Sequence, residues 1–351
     1  MFYKYLLVNE DNNPVLYLYV NDVYELIKDD DINQVYENTY NFINRSNIPF
    51  NGDHIYFVKD DIILGDILLS DYDMVNNTKI EVIGLEDKLI DLERSNGIIE
   101  QLKLDEYVFG VVSGEMPAIF NEESLKAQAV IARTYAMKRL SRKLPIKNFN
   151  STQIYRDRSY LKELWEDKYE EYSNKIMKVI RDTRNEVIKF DGDYIDAYYH
   201  LASGKKTEDS VNVLKLAYPY LISVGNDWDD SKDLVSHRVI PNSYLDKLLN
   251  IEIKKDMDVE ILMKTIGHRV KYIKFGDKVF DGLILSNRLG LNSNDFTVSI
   301  EDNYTTFTTR GHGHGLGLSK YGAEAMANSG YNYRQIISHY YPNTYIEKIN
   351  Y

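Results

Sequence analysis

The apolar and polar positions on either side of Pro117 follow the spacing of two helices with a short break between them. The run LDEYVFGVVSGE must end near Glu115, because Pro117 pushes Met116 toward an extended backbone. A second helix is predicted over Glu122 to Leu140, since Asn121 is a good N-cap and acids occupy the first turn. Small and apolar side chains share one stripe of this helix, which permits close helix packing. The stripe contains Leu125, Ala129, Ala132 and Ala136.

The remainder of the C-terminal part mixes helical and strand-like patterns in blocks. A charged helix is predicted from about Leu161 to Thr183, and helix returns over Tyr321 to Asn328 and Asn332 to Tyr340. Between them, strand signals dominate from Glu186 onward. These signals are EVIKFDG, DAYYHLASG, KYIKFGDKVFDG, RLGLNSNDFTVSIED and NYTTFTTRG. Because strands and helices come in blocks, we expect an α+β fold, with a core of mixed helices and antiparallel strands.

The first 95 residues are predicted to form a separate, small α+β module with no catalytic constellation. Two strands are expected at Tyr3 to Val8 and Val15 to Val20, and Asp31 is expected to cap a helix. The segment from His54 to Leu69 is typical of paired strands around Asp60-Asp61. Residues 96–351 are predicted to form the larger domain.

The composition narrows the possible partners of this chain of 351 residues. A formal net charge of −12 argues against nucleic acid, because the chain has no basic face to displace counterions. The sequence contains no cysteine, which excludes disulfides, thiolate nucleophiles and cysteine-based zinc sites. The apolar part of MFYKYLLVNEDNN is too short for a signal peptide or a membrane helix, so neither is predicted there.

Glu115 is the first candidate for catalysis, because it is predicted to lie at the C-terminal end of a helix. There the helix dipole and any apolar wall disfavour a carboxylate and favour the protonated form. A carboxyl that is protonated near neutral pH is what a general acid requires. Asp105 and Glu106 lie nearly three helical turns upstream, so a mechanism with one acid is the simplest interpretation. The alternative is a solvated acid at a helix end.

Six short segments, in order along the chain, carry a resemblance to a known family. They are GEMPA with SLKAQAVIARTYA (Gly114 to Ala136), Gln153-Ile154-Tyr155, YHLASGKKTED (Tyr199 to Asp209), PYLISV (Pro219 to Val224), RLGL (Arg288 to Leu291) and GHGHGLGLSKYGAEAMA (Gly311 to Ala327). Over about residues 97–349 the chain resembles the sporulation stage II protein D (SpoIID/LytB) family, which includes the amidase enhancers. The larger domain is thus expected to be a SpoIID/LytB-type catalytic domain.

The resemblance implies a peptidoglycan lytic transglycosylase that cleaves between N-acetylmuramic acid and N-acetylglucosamine in peptide-stripped glycan strands. Glu115, which matches the family acid, would protonate the glycosidic oxygen. As a base it would then help the muramyl C6 hydroxyl to attack the anomeric carbon, giving an anhydro sugar. The alternative is a glycan-binding protein that enhances a cell-wall amidase without cutting.

The resemblance also implies a setting and a set of partners. The setting is engulfment during sporulation, in the cell wall outside the cytoplasm, with a wall amidase as the expected partner. Relatives commonly carry an N-terminal membrane anchor, and none is predicted in this chain. The residues implied to contact substrate are Arg133, Gln128, Lys126, His200, Ser203, His314, Ser319 and Tyr321. For Arg133, the expected partner is a sugar acetamide, a lactyl carboxylate or Glu115, and the alternative is an ordinary ion pair at the surface.

No metal and no other cofactor is predicted. Some relatives bind zinc through cysteines, whereas this chain has Lys206 at the place of the loop cysteine, and His200 alone cannot hold a structural site. His312 and His314 are two positions apart and would chelate a metal if they lay in a strand. The alternative is a buried, hydrogen-bonding histidine in a tight glycine-rich turn. A nucleophilic pair of Ser203 with a histidine is disfavoured, because no nucleophile-elbow pattern surrounds the serine.

Overall fold

The computed structural model describes residues 54–59, 62–68, 88–94, 97–147, 153–229 and 234–349. The chain divides into two compact units, Met1–Lys88 together with Tyr351, and Leu89–Asn350. The described part of the first unit is an antiparallel hairpin of β1 (His54–Lys59) and β2 (Ile62–Leu68), as the sequence predicted. The strands predicted at Tyr3 to Val8 and Val15 to Val20, and the helix predicted after Asp31, lie outside the described residues.

The two helices predicted around Pro117 are confirmed. Helix α1 (Leu104–Glu115) ends at Met116, whose φ of −125° and ψ of 142° are the extended values expected before a proline. Helix α2 (Glu122–Ser141) begins after Asn121, whose side chain accepts a hydrogen bond from the Glu123 N–H at 3.0 Å. The chain therefore changes direction within a few residues of Glu115.

The prediction of one continuous charged helix from Leu161 to Thr183 is wrong. The segment forms α3 (Arg158–Trp165), a 3₁₀ turn, and α4 (Tyr169–Asp182). The break occurs at Glu166, whose φ of 45° lies in the left-handed region and stops the helix. The turn brings the Trp165 ring edge-on to Tyr172, with 5.6 Å between ring centroids.

The remaining elements of the larger unit complete a set of small sheets. In chain order they are β3 (Leu89–Glu93), β4 (Ile99–Lys103), β5 (Ile146–Lys147), β6 (Glu186–Phe190), β7 (Asp193–Tyr194), β8 (Tyr199–His200), α5 (Ser210–Leu214), β9 (Val235–Pro241), α6 (Asn242–Leu249), β10 (Val259–Lys264), β11 (Val270–Phe275), β12 (Lys278–Asp281), α7 (Gly282–Leu289), β13 (Phe296–Ile300), β14 (Tyr304–Arg310), β15 (Leu318–Ser319), α8 (Lys320–Asn328), α9 (Tyr333–Tyr340) and β16 (Tyr345–Lys348). Helix α2 is central, since it packs against α1, α4, α8, α9 and β6.

The strands pair mainly antiparallel. The sheet orders are β4-β3-β5, β16-β6-β7, β13-β14-β9 and β10-β11-β12. Parallel pairing joins β3 to β5 and β8 to β15, and the second of these pairs ties the start of α8 to the segment that holds His200. The strands β9 to β14 enclose a separate apolar core that includes Leu245, Ile273, Phe296 and Phe307.

The architecture is α+β, as the sequence predicted. Two strand predictions were too long, because DAYYHLASG forms a strand only over Tyr199–His200 and RLGL lies at the end of α7. Gly290 closes that helix with a φ of 62°, a conformation that favours glycine and ends the helix before the strand begins at Phe296. Among the described residues, no helix combines the length and the apolar character that crossing a membrane requires.

Candidate functional site

Glu115 is a buried acid at the C-terminal end of α1, and both of its carboxylate oxygens are engaged. One oxygen, Oε1, accepts a hydrogen bond from the Ile154 N–H at 2.7 Å. The other, Oε2, accepts one from the Lys320 ammonium at 2.5 Å. These two donors were not predicted from the sequence, and the expected protonation of the acid stays a prediction.

Lys320 is a residue of the site that the sequence analysis did not single out. It is the first residue of α8, and its ammonium also donates to the Glu115 backbone carbonyl at 2.9 Å. A lysine in the first turn of a helix is disfavoured by the helix dipole. In the sequence LSKYGA, the lysine directly follows the capping residue Ser319 and so lies in an unfavourable first turn. That position is the feature of the sequence that could have indicated a partner for Lys320 elsewhere in the fold.

Two tyrosines border the carboxyl group of Glu115. Burial raises the pKa of Tyr199 well above its usual range, and the neighbouring charge of Glu115 adds to the rise. Burial likewise raises the pKa of Tyr107, with a further contribution from Glu115. The Tyr107 hydroxyl donates to Gln153 Oε1 at 2.6 Å. Both phenols are therefore protonated at neutral pH, and their aromatic rings lie next to the acid.

The Gln153-Ile154-Tyr155 segment reaches Glu115 because α1 presents two glycines to it. A Cβ on Gly114 would overlap with the Ile154 carbonyl oxygen, and one on Gly110 would overlap with the Tyr155 ring. The Tyr155 ring in turn stacks on Tyr107, with a centroid separation of 6.1 Å. The glycines let the segment lie directly on the helix, which brings the Ile154 N–H within reach of the carboxylate.

The glycine-rich box before α8 is a tight turn that threads between other segments, as the glycine pattern predicted. Four of its glycines have φ between +63° and +105°: Gly311, Gly313, Gly315 and Gly317. At Gly317 a Cβ would overlap with the Tyr198 carbonyl oxygen, so the close approach requires glycine in addition to the backbone conformation. Strand β15 and then Lys320 follow this turn, and Lys320 contacts the end of α1.

His314 and His200 meet beside this turn. Their ring centroids are 5.8 Å apart. The Leu316 N–H donates to His314 Nδ1 at 2.9 Å, and His200 Nδ1 donates to the Leu316 carbonyl at 3.1 Å. Burial, with Arg269 nearby, lowers the pKa of His314 to about 4, and burial lowers that of His200 well below its usual value. Both imidazoles are therefore neutral at neutral pH, and each holds the backbone of the turn.

His312 and His314 lie in the glycine-rich turn outside the strands, so the alternative in which they chelate a metal from a strand is not formed. His312 is exposed, and its backbone makes an isolated antiparallel bridge to Ala202. Among the described residues, no group of three or more His, Cys, Asp or Glu side chains is arranged to hold a metal ion.

Ser203 and Ser319 meet at a buried acid that the sequence did not single out. Asp229 Oδ2 accepts hydrogen bonds from the Ser203 N–H, the Ser319 hydroxyl and the Asn226 amide, at 2.9 to 3.0 Å. Burial raises the pKa of Asp229, against the lowering effect of these bonds. The Ser203 hydroxyl accepts from the Asn226 amide at 2.9 Å. These serines thus fix the start of α8 and do not face a histidine as nucleophiles.

The predicted substrate contacts Arg133 and Gln128 on α2 are buried inside the protein. Arg133 is fully buried and donates to the backbone carbonyls of Thr183, at 2.7 Å, and Glu186, at 3.2 Å. Placing Arg133 beside a groove was therefore wrong, because its guanidinium links the end of α4 to β6. Gln128 is also fully buried.

The other two predicted contacts are closer to the surface. Lys126 pairs with Glu123 and Asp182, each at 3.0 Å. Tyr321 follows Lys320, is 38% exposed, and meets the Phe120 ring edge-on at 5.7 Å. Tyr321 is therefore the predicted contact that leaves ring surface open next to the site.

The fold and the site together define a class of α+β protein in which a buried acid at the end of one helix is held by a lysine at the start of another. A family model described as stage II sporulation protein matches residues 93–190. The chain is 32% identical over 264 residues to stage II sporulation protein D of Bacillus subtilis (strain 168), covering 72% of this chain and 77% of the relative. It is 33% identical over 257 residues to stage II sporulation protein D of Bacillus amyloliquefaciens, covering 70% and 75%. The chain therefore belongs to the stage II sporulation protein D family.

A more distant similarity bears on function. The chain is 27% identical over 293 residues to a protein of Bacillus subtilis (strain 168) named amidase enhancer. The match covers 67% of this chain and 39% of that relative. The chain is therefore also similar to a protein whose name describes action on another enzyme.

Proposed function

We propose that this protein is a peptidoglycan lytic transglycosylase that acts in the cell wall during sporulation. Its substrate is the glycan strand, and the bond cleaved joins N-acetylmuramic acid to N-acetylglucosamine. The observation that carries the proposal is the placement of Glu115. Its side chain is only 5% exposed, both oxygens are hydrogen-bonded, and it occupies the GEMPA position by which the sequence resembles the family.

The proposed reaction uses one carboxyl group twice. Protonated Glu115 gives its proton to the glycosidic oxygen, the bond from that oxygen to the muramyl anomeric carbon breaks, and N-acetylglucosamine leaves with a free hydroxyl. The carboxylate then accepts the proton of the muramyl C6 hydroxyl while that oxygen bonds to the anomeric carbon. The product is a 1,6-anhydro sugar, no water is consumed, and Glu115 regains its proton.

The surroundings of Glu115 support a mechanism with one acid. Hydrolases that act on glycosides ordinarily use two carboxyl groups, about 5 to 10 Å apart, of which the second activates water or attacks the sugar. The groups described around Glu115 are the Lys320 ammonium, the Ile154 N–H and the phenols of Tyr199 and Tyr107. None of these four is an acid that would act as a second carboxylate.

The proposal is tested with purified, peptide-free glycan strands and mass spectrometry of the products. Wild-type protein is expected to yield anhydromuramyl ends, and Glu115→Gln is expected to lose at least about a hundredfold in rate, as removal of a general acid does. Glu163→Gln is the matched control, because Glu163 is an exposed glutamate on α3. Reducing ends in place of anhydro ends would mean hydrolysis and would overturn the lyase assignment.

A second candidate is a glycan-binding protein that enhances a cell-wall amidase without cutting. The similarity to the amidase enhancer favours it. It predicts intact strands in every sample, together with faster release of peptides by an added wall amidase. Glu115→Gln would retain that enhancement fully, because a binding protein has no need of a proton donor.

A further inference from the structure

A groove with a volume of about 560 Å³ lies between helices α8 and α9 and the loop that carries Trp228. Its volume falls within the range of clefts that bind small molecules, about 300 to 1,000 Å³. Among the described residues, the groove shares none with the site around Glu115. The mechanism proposed for Glu115 therefore leaves the groove without a role.

Three aromatic rings line the groove, those of Trp228, Tyr331 and His339. The Trp228 ring lies edge-on to the other two, with ring centroids 5.2 Å from Tyr331 and 6.4 Å from His339. All three residues are half-buried, so part of each ring stays open to a ligand. An indole or phenol ring has a broad apolar face and a polar group at its edge. A pyranose ring has a similar character, since its C–H groups form an apolar face and its hydroxyls project from the edge, so the two pack together.

The loop that carries Trp228 is fixed by α9. The Tyr340 hydroxyl donates a hydrogen bond to Asn226 Oδ1 at 2.5 Å. His339 Nε2 donates to the Gly225 carbonyl at 2.8 Å. The indole is therefore held beside α9 before any ligand arrives, and such preorganisation lowers the ordering cost of binding.

Three uncharged polar side chains complete the lining, those of Asn332, Gln335 and Ser338. The side-chain oxygens of Asn332 and Gln335 accept hydrogen bonds from backbone N–H groups at the start of α9, at 3.0 and 2.9 Å. In the part of the chain that the structure describes, both amide nitrogens remain available as donors. The arginine of the lining, Arg334, is already paired with Glu186. The groove thus offers neutral donors beside aromatic rings, which suits an uncharged sugar, whereas a phosphate or carboxylate ligand is best bound by an unpaired cation.

We propose that the groove binds an uncharged sugar unit of the glycan strand, such as N-acetylglucosamine, apart from the bond that is cleaved. The choice of sugar rests on the proposed function, whereas the fit to a sugar rests on the lining of the groove. The Trp228 ring packs against the apolar face of the sugar, and the amides of Asn332 and Gln335 donate to its hydroxyl and acetamide oxygens. This contact adds affinity for the strand and takes no part in the reaction.

The first test uses the fluorescence of Trp228, because the chain contains two tryptophans, Trp165 and Trp228. The Trp165→Phe protein keeps Trp228 as its one reporter and is titrated with the tetramer of N-acetylglucosamine, while calorimetry follows binding. A saturable change in emission is expected in Trp165→Phe, and none in Trp228→Phe. Unchanged emission of Trp228 at tetramer concentrations up to the millimolar range overturns the proposal. So does a stem peptide that changes this emission when the tetramer does not, because the groove would then be a peptide site.

The second test compares variants of the groove by calorimetry with the same tetramer. Trp228→Ala is expected to weaken binding about tenfold or more, as loss of an aromatic residue at the centre of a contact does. Trp165→Ala is the matched control, because Trp165 is also half-buried and edge-on to a tyrosine, Tyr172, but does not line the groove. It should bind the tetramer as wild type does.

Ser338→Phe keeps the indole and fills the groove from α9, where Ser338 is exposed. It should weaken binding to a similar extent, and it decides the proposal if Trp228→Ala does not fold. Circular dichroism and thermal unfolding check that each variant is folded. Wild-type affinity in either folded variant overturns the proposal.

The cleavage assay with glycan strands separates this inference from the proposed function. If wild type cleaves no strand while Trp228→Ala and Ser338→Phe bind the tetramer more weakly than wild type, the proposed function fails and the groove stands as a sugar site. If wild type yields anhydromuramyl ends while both variants bind the tetramer with full affinity, the proposed function stands and the inference about the groove fails.

Discussion

The Ser319 hydroxyl, which caps the N-terminus of α8, donates a hydrogen bond to Asp229 at 2.9 Å. The same Asp229 oxygen accepts hydrogen bonds from the Ser203 N–H and the Asn226 amide. Since Lys320 directly follows Ser319, this acid fixes the residue that in turn contacts Glu115. The position of the Glu115 carboxyl group therefore depends on a chain of contacts that begins at Asp229.

Replacement of Asp229 by alanine and by asparagine should have different consequences. Asp229→Ala leaves three buried donors without their acceptor and is expected to lower the free energy of unfolding by about 3 kcal/mol. Asp229→Asn keeps an oxygen at the same place and removes a charge that burial disfavours, so it should cost under about 1 kcal/mol. Urea unfolding at pH 7 measures both values. Equal losses in the two variants would show that the charge, and not the acceptor, is what the site requires.

How much of the site the sequence predicts depends on the range of the interaction. The break at Pro117, the cap at Asn121 and the position of Glu115 at a helix end are set by neighbouring residues, and all three were predicted. The pairing of Glu115 with Lys320 joins residues 205 positions apart. Local pattern shows only that the lysine is poorly placed in its own helix, and the fold alone supplies its partner.

Arg133 was misplaced for a different reason. Helix α2 has small or apolar side chains on most of its circumference, so its sequence pattern does not show which side faces solvent. The structure buries it on several sides, and the buried guanidinium finds the carbonyls of Thr183 and Glu186. The break at Glu166 was missed similarly, because a left-handed φ at a glutamate leaves no mark in the pattern.

Arg133→Gln should reduce stability and leave glycan affinity unchanged. The glutamine is too short to replace both hydrogen bonds, and buried acceptors are left unsatisfied, so we expect a loss of about 2 to 4 kcal/mol in the free energy of unfolding. Arg142→Gln, at the exposed end of the same helix, is the control and should change little. Unfolding curves and glycan binding by the folded protein are measured side by side. Weaker binding at full stability would restore the original interpretation of Arg133 as a substrate contact.

Gly114→Ala should weaken the site through the backbone of a second segment. The added methyl group overlaps with the Ile154 carbonyl oxygen and pushes Ile154 away from α1, so Glu115 loses the Ile154 N–H. Overpacking of this kind typically costs about 1 to 3 kcal/mol, even though alanine favours a helix more than glycine does. The measurements are thermal unfolding and the rate of glycan cleavage.

Gly225→Ala is the control for that experiment, because a Cβ there meets no atom within 4 Å and its φ is not in the left-handed region. It should match wild type in both measurements. A Gly114→Ala protein with unchanged stability and cleavage would show that Ile154 can shift without affecting Glu115.

The lowered pKa of His314 predicts how stability depends on pH. The pKa of His314 is lowered from 6.5 to about 4, first by burial and then by the charge of Arg269. Between these pH values the unfolded chain binds a proton at His314 that the folded protein does not bind, so stability is full above about pH 6.5 and falls as the pH drops toward 4. The contribution of this residue is on the order of 3 kcal/mol.

In His314→Gln that part of the pH dependence should disappear, while His312→Gln, an exposed neighbour in the same turn, should retain it. Urea unfolding of the three proteins at pH 7 and pH 4.5 measures the difference, and parallel losses in all three would mean that His314 is protonated in the folded state as readily as in the unfolded chain.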